Sequence, residues 1–408
     1  MTSIRSDLLA IIESGLKRVD GSACVASALG RRDVLPANIG VVAIGKAALA
    51  MAEGAVDVLQ TKLVSGLVIS KEPISALNAL PHCIERCVGG HPTPNQDSLV
   101  AGHALLRYLD NCPLDMTLLF LLSGGASALV EVLPDSVSLE QLQRLNRWLL
   151  ASGLDIAQMN VIRQCVSRIK AGRLASHMHT SATISLLMSD VMNNDESIIG
   201  SGLLTASSRA PVLSSVPEWV RKLCVDQPPR PDVGSDGFEG IHQEIVADLG
   251  MALNAMALTA VDLAYVAHNH GTTMSGDVET WVSYIASYLI NAPVGVHLWG
   301  GETTVQLPDK PGCGGRNTHL ALMLAQRLRG QAGLTLAMVA SDGDDGNSSY
   351  AGAIADGDTL SKAGITCERA QQALATADSA TLLQYANALL FLDKGRSNVA
   401  DILLVVKQ

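Results

Sequence analysis

No Cys-x-x-Cys pair occurs in this sequence, although it holds eight cysteines, at 24, 83, 87, 112, 165, 224, 313 and 367. Scatter of that kind lacks the usual zinc and redox spacings and fits reduced thiols packed in a core. The nearest approach to a metal cluster, His82, Cys83, Cys87 and His91, matches no standard structural site, and Cys87-Val88 reads instead as strand entering a Gly-Gly-His-Pro turn. Charge is sparse as well. Asp, Glu, Lys and Arg make up 17% of the chain against 48% hydrophobic residues, a core-rich balance far from disorder. The net charge is -10 and no segment gathers the 29 Lys and Arg residues, which argues against nucleic acid or an acidic membrane surface and leaves small molecules as the expected ligands. Apolar runs stop well short of the roughly 20 residues that cross a bilayer. No internal repeat or low-complexity tract is visible. The first residues place Leu8, Ile12, Leu16 and Val19 at helical spacing among charges, an amphipathic helix rather than a signal peptide, so a cytoplasmic location is expected.

What is present is an alternation. Short apolar runs at 41–44, 66–69, 117–122, 182–188, 294–299, 334–340, 388–392 and 402–406 are separated by helical stretches. That rhythm predicts an α/β fold with mostly parallel sheets, whose strands are buried on both faces and hence continuously hydrophobic. A chain of 408 residues is long for one core, so two domains are expected. Prolines and glycines crowd Val225–Gly240, a surface linker that puts one α/β domain at 36–235 and another at 236–408. The segment Glu239–Ala267 reads as one long helix, and the N-terminal region 1–30 is expected to pack on the second domain.

Several strands end in unusual loops. Thr117–Leu122 runs into Ser123-Gly124-Gly125-Ala126-Ser127, nearly bare of side chains. Ligands of doubly wound sheets sit beyond the carboxyl ends of strands, where such a loop lets backbone N–H groups approach an anion; a tight packing turn is the alternative. Gly40–Ala47 fits the letters of a P-loop, but strand formers fill the cradle and Ala47 stands where Mg²⁺ needs a hydroxyl. What survives is Lys46 at a strand mouth. No G-x-G-x-x-G follows a strand, which disfavours a dinucleotide site. Carboxylates follow other strands, at Asp190, Glu302 and Asp342, and with Lys46, Arg163, Lys170, Arg173 and Arg316 they outline a site where anions and a hard cation meet.

The ordered texts Ala43–Ala48, Gly90–Pro94, Leu122–Leu129, Ser167–Ala175, Ser189–Val191, Gly300–Val305, Gly314–Asn317 and Asp342–Gly346 together resemble the glycerate 2-kinases of the MOFRL-domain type, from about residue 5 to the C-terminus. The resemblance implies two Rossmann-like domains with a cleft between them, the first holding the glycine loop, and an ATP- and Mg²⁺-dependent transfer to the 2-hydroxyl of D-glycerate or a close relative. By position, Lys46 and Arg316 match the family's basic catalytic pair. Ser123, Gly124, Gly125 and Ser127 match its anion loop, and Gly314 and Gly315 a second loop beside the nucleotide. Arg163, Lys170, Arg173 and Asn317 are then candidates for the acceptor, and Asp190, Glu302 and Asp342 for the metal. Whether the chain pairs as a homodimer is left open.

Loop tips depart from the family pattern. Gly-Gly-Gly-Ser is here Gly124-Gly125-Ala126-Ser127, and Lys-Gly-Gly is Lys170-Ala171-Gly172; the added methyls are expected to need negative φ. A non-catalytic or altered-substrate paralogue therefore stands beside the kinase, and a hydroxypyruvate reductase behind both.

Overall fold

The computed structural model describes residues 3–73, 75, 80–154, 156–180, 182–214, 216–225, 228–232 and 238–408. The chain divides into two compact units, 21–246 and 1–20 with 247–408. The sequence-based boundary at 235/236 falls within residues that are not described.

In the unit 21–246 the strands are β1 (Ile39–Ile44), β2 (Leu63–Ser70), β3 (Ile84–Val88), β4 (Thr117–Leu122), β5 (Ala182–Met188) and β6 (Ile241–Ala247), in the order β3-β2-β1-β4-β5-β6. β1 through β5 pair in parallel, as the continuous hydrophobicity of β1 and β4 requires: both are buried at every residue. The order reverses between β1 and β4, and their carboxyl ends are where doubly wound sheets bind ligands. Ile44 lies opposite Leu122, so Gly45 and Ser123 leave the sheet side by side. The helices Leu139–Ala151, Ile156–Cys165 and Glu218–Val225 gather around a smaller apolar cluster of their own that includes Leu145, Val166 and Val220.

The other unit holds β7 (Ala267–Asn269), β8 (Met274–Asp277), β9 (Gly295–Thr304), β10 (Leu334–Ala340), β11 (Gly352–Asp356), β12 (Leu389–Leu390) and β13 (Asp401–Lys407), ordered β12-β11-β10-β13-β9-β7 with β8 also on β9. Only β7 and β8 run parallel to β9; the remaining pairs are antiparallel. The expectation of a mostly parallel sheet is corrected here. β10 returns directly as β11 without a crossover helix, which only an antiparallel pair permits, and a strand buried on both faces reads the same in either direction.

The helix Ile4–Arg18 opens on Ser3, whose hydroxyl accepts from the Ser6 N–H, and buries Leu8, Ile11 and Ile12. It lies on the helix Leu249–Asp262: a Cβ at Gly15 would stand 2.5 Å from Met256 Cγ, and Tyr265 donates to Asp7 at 2.8 Å. The following helix, Gly21–Gly30, packs instead on Ala48–Leu59 in the glycine-loop unit, so the N-terminal region 1–30 does not act as one piece. The single helix expected over Glu239–Ala267 is likewise two elements. β6 comes first, half exposed at its start, and Asp248 then caps Leu249–Asp262 by accepting the Met251 N–H at 2.7 Å. Apolar residues at 241, 245 and 246 mimic helical spacing, and the capping aspartate marks the break.

That helix ends in a Schellman turn: Ala264 N–H bonds Val261 O at 2.9 Å and Tyr265 N–H bonds Ala260 O at 2.9 Å. Ala264 takes φ 66 there, a conformation glycine adopts without steric cost. Ala264, on the surface, should therefore accept glycine favourably: Ala264→Gly is expected to stabilise the fold by about 1 kcal/mol, read as a rise in the chemical or thermal unfolding midpoint.

Candidate active site

Gly45 has φ 134, and a Cβ on it would sit 2.1 Å from Ser123 Oγ. Glycine is needed there for approach as well as for angle. Ser123 N–H donates to Ile44 O at 3.0 Å, and Lys46 N–H to Gly124 O at 3.0 Å, which extends the β1–β4 ladder past the strand ends. Ser123 Oγ accepts the Ala47 N–H at 3.0 Å and so caps the entry to the helix Ala48–Leu59. Gly125 follows at φ 84. A Cβ there would stand 3.0 Å from Lys46 Cγ and 3.2 Å from both Cδ2 and Nε2 of His91. The loop is bare because two side chains lie over it. Lys46, Ser123, Gly124 and Gly125 are thus brought together, with His91 as a member that its weak sequence signal, a histidine in a Gly-Gly-His-Pro turn, did not single out.

A buried network supports this loop. Ser127 Oγ lies 2.6 Å from Ser201 Oγ, whose own proton goes to Asn160 Oδ1 at 2.7 Å, so Ser127 is the donor. Lys170 Nζ donates to Ser127 O at 2.8 Å and forms an ion pair with Glu131. Glu131 also receives the Ser167 hydroxyl at 2.6 Å and the Val132 N–H at 3.0 Å. Lys170 is 2% exposed and Glu131 0%. Lys170 is therefore committed to the floor of the loop, which corrects its expected role in holding the acceptor. Arg173 is corrected in the same way: it is buried and donates to the carbonyls of Gln164 at 2.9 Å, Lys170 at 3.0 Å and Pro228 at 2.7 Å, and burial lowers its pKa to about 10. Arg163, half-buried, donates to Asn146 Oδ1 at 3.0 Å, and burial pulls its pKa down. Ala126 begins a single helical turn, whereas Ala171 takes φ 57 despite its methyl. The expectation that both methyls need negative φ fails at Ala171, whose N–H is held by Ser201 O at 3.1 Å.

In the other unit Arg316 is the first residue of the helix Arg316–Arg327. Its guanidinium meets Glu302 Oε1 at 2.5 Å and grips Asp401 through Nε and NH2, the latter at 3.3 Å. Asp401 is buried at the start of β13, while Arg316 keeps 34% of its side chain exposed. Burial would lower the Arg316 pKa, but Asp401 and Glu302 outweigh it and raise it. Asp345 caps this helix by accepting the N–H groups of Asn317 at 2.9 Å and Thr318 at 2.8 Å, and burial pushes its own pKa up. A Cβ at Gly315 would stand 2.3 Å from Asp345 Oδ1. The N–H groups of Gly314 and Gly315 go to Asn347 Oδ1 at 2.9 Å and Thr318 Oγ1 at 3.0 Å. These glycines serve close packing with their donors already used, a correction to their expected approach to a nucleotide. Asn317 is buried beneath.

Of the three expected metal ligands, Asp190 is half-buried just past β5, and Asp342 is buried with Oδ1 accepting the Asp344 N–H at 3.1 Å. Glu302 is occupied by Arg316, which corrects its assignment. Among the described residues, no three His, Cys, Asp or Glu side chains gather as a chelate.

Fold and loop together define an α/β protein whose doubly wound half carries a glycine loop, Lys46 and His91 at its switch point. The chain belongs to the family described as a domain of unknown function, DUF4147, which matches residues 7–226, and the MOFRL family matches residues 295–401. It is 29% identical to the D-glycerate 2-kinase of Thermotoga maritima over 89% of each chain. It is 31% identical to a putative hydroxypyruvate reductase of Agrobacterium vitis over 89% of this chain and 85% of that one. The crystal structure of glycerate kinase from Thermotoga maritima superposes with a TM-score of 0.82 at 27% identity, covering 99% of both chains.

Removing one partner of a buried ion pair leaves the other charge without compensation. Lys170→Met is expected to cost about 3–5 kcal/mol in denaturant unfolding, and the double variant Lys170→Met with Glu131→Leu to recover much of that loss.

Proposed function

We propose that this chain is a glycerate 2-kinase, which transfers the γ-phosphoryl group of ATP to the 2-hydroxyl of D-glycerate or a closely related short hydroxy acid in the cytoplasm. The observation that carries the reading is the end-to-end likeness to a glycerate kinase structure, with Lys46 beside the switch-point loop. In the reaction the hydroxyl oxygen bonds to the γ-phosphorus and releases its proton to solvent, the bond from that phosphorus to the β–γ bridging oxygen breaks, and ADP departs. Such a step needs positioning and neutralisation of charge more than a protein nucleophile. Lys46 supplies a compact charge. Arg316 supplies a planar fork that can span two phosphate oxygens, and Asp401 keeps that fork oriented. Glu302, its more exposed partner at 52%, is the group an incoming phosphate would displace.

The donor set does not fit a resident metal, since no acidic trio gathers among the described residues. Magnesium enters this proposal as part of the nucleotide substrate, a role that asks one or two carboxylates of the protein, with Asp190 and Asp342 as the remaining candidates. A reductase reading is weaker. The sheet order is that of dinucleotide folds, yet Ser123 already takes the Ala47 N–H at the start of the first crossover helix, where a pyrophosphate would need it.

An ADP-release assay with MgATP and a panel of three- and four-carbon hydroxy acids is expected to show turnover with D-glycerate and none after EDTA. ATP binding without release on any acceptor would favour a non-catalytic paralogue, and NADH consumption with hydroxypyruvate would favour the reductase. Arg316→Lys keeps a cation against Asp401, so its melting point should change little. Its kcat should fall by about a hundredfold, the scale of losing one transition-state donor. A low melting point with normal turnover would make Arg316 a structural cap.

A further inference from the structure

His91 reaches Gly125 from far across the sheet. It follows β3, the edge strand, whereas Gly125 follows β4, and β2 and β1 lie between them. The route is built by glycine and by one buried hydroxyl. A Cβ at Gly89 would stand 2.0 Å from Leu129 O, so only glycine lets this segment lie directly on the turn after the loop. Ser98, fully buried, then accepts the N–H groups of Gly90 at 3.0 Å and Asn95 at 3.1 Å, which pins the chain on both sides of His91. The imidazole is half-buried, with Cδ2 and Nε2 turned to the point where Gly125 would carry a side chain; the Lys46 stem touches the same point.

We propose that His91 contacts the substrate, its Nε2 and the Lys46 ammonium forming a two-donor clasp for an oxyanion above Gly124 and Gly125. An ammonium alone is a point charge without direction, and the ring adds a second donor whose position the backbone sets. The shared chemistry is an oxyanion, either the carboxylate of the hydroxy acid or a phosphate of the nucleotide. The choice between these rests on the kinase reading above; the clasp itself rests on the geometry at Gly125.

Glutamine places its amide near the position of Nε2, whereas asparagine reaches only the position of Nδ1. His91→Asn in the full chain is expected to raise the KM of one substrate, D-glycerate or ATP, about tenfold, the scale of one hydrogen bond to a charged group. The other substrate's KM should stay within twofold, and His91→Gln should recover most of the loss. The substrate whose KM moves identifies the source of the oxyanion. An unchanged KM and kcat in an Asn variant that melts like wild type would overturn the proposal, and so would recovery by Asn rather than Gln. If the wild type releases no ADP with any acceptor, the kinase reading fails independently. Calorimetric titration of ATP, inorganic phosphate and D-glycerate then decides the clasp, and equal affinities of wild type and His91→Asn for all three would overturn it. Should both variants unfold, diethylpyrocarbonate labelling of the native protein replaces them. Saturating ATP or D-glycerate should slow His91 modification at least severalfold by peptide mass analysis, and no protection by either would overturn the clasp.

Discussion

The lateral pairing of β1 with β4 is the constraint on which the candidate site depends. Their register, from Ile39 opposite Thr117 to Ile44 opposite Leu122, brings two strand ends level at the point where the sheet order reverses. Because the strands are parallel, both chains leave in the same direction, and something must let them separate without clash. Gly45 does this against Ser123, and the hydrogen bonds from Ser123 N–H and Lys46 N–H prolong the ladder by one step on each side. From that step follow the place of Lys46, the cap on the first crossover helix, and the half-buried Gly125 beneath Lys46 and His91.

The basic residues near the loops fall into two physical kinds. Lys170 and Arg173 are sealed inside, one against Glu131 and the other against backbone carbonyls, and they hold the loop from below. Taking such charges out of water is costly, and full pairing is the condition on which they are tolerated. Lys46 and Arg316 are half-exposed at strand or helix mouths. Arg316 is held from beneath by a buried carboxylate and from above by an exposed one, so its orientation is set while one face stays open to exchange. Proximity in sequence to a glycine loop does not separate these kinds. Burial does.

Loops that look designed for anions also prove to differ. At Gly125 the missing side chain makes room for Lys46 and His91. At Gly314 the missing side chain makes room for Ser379 and Thr318, and at Gly315 for the loop carrying Asp345, a carboxylate of the protein's own, which takes the helix N-terminus that a phosphate would otherwise use. Two glycine pairs of similar text thus serve opposite ends.

The α/β class, the extents of β4, β5 and β10, and the small-residue loop after β4 were legible in the sequence, because burial on both faces and the stereochemistry of glycine leave local marks. The family resemblance was carried by loop texts in their order. Strand direction was not legible: β10 and β13 are as continuously apolar as β1 and β4, yet they are antiparallel, and hydrophobicity records burial without polarity of the chain. The break of 239–267 into strand and helix was written only in Asp248, a single capping residue. Which charges are buried, and the arrival of His91 from an edge strand at a loop two strands beyond its neighbour, were decided by tertiary structure alone. Those facts depend on which segments lie beside one another, and the partners, Glu131 with Lys170, Asp401 with Arg316, His91 with Gly125, are separated by 34 to 85 positions along the chain.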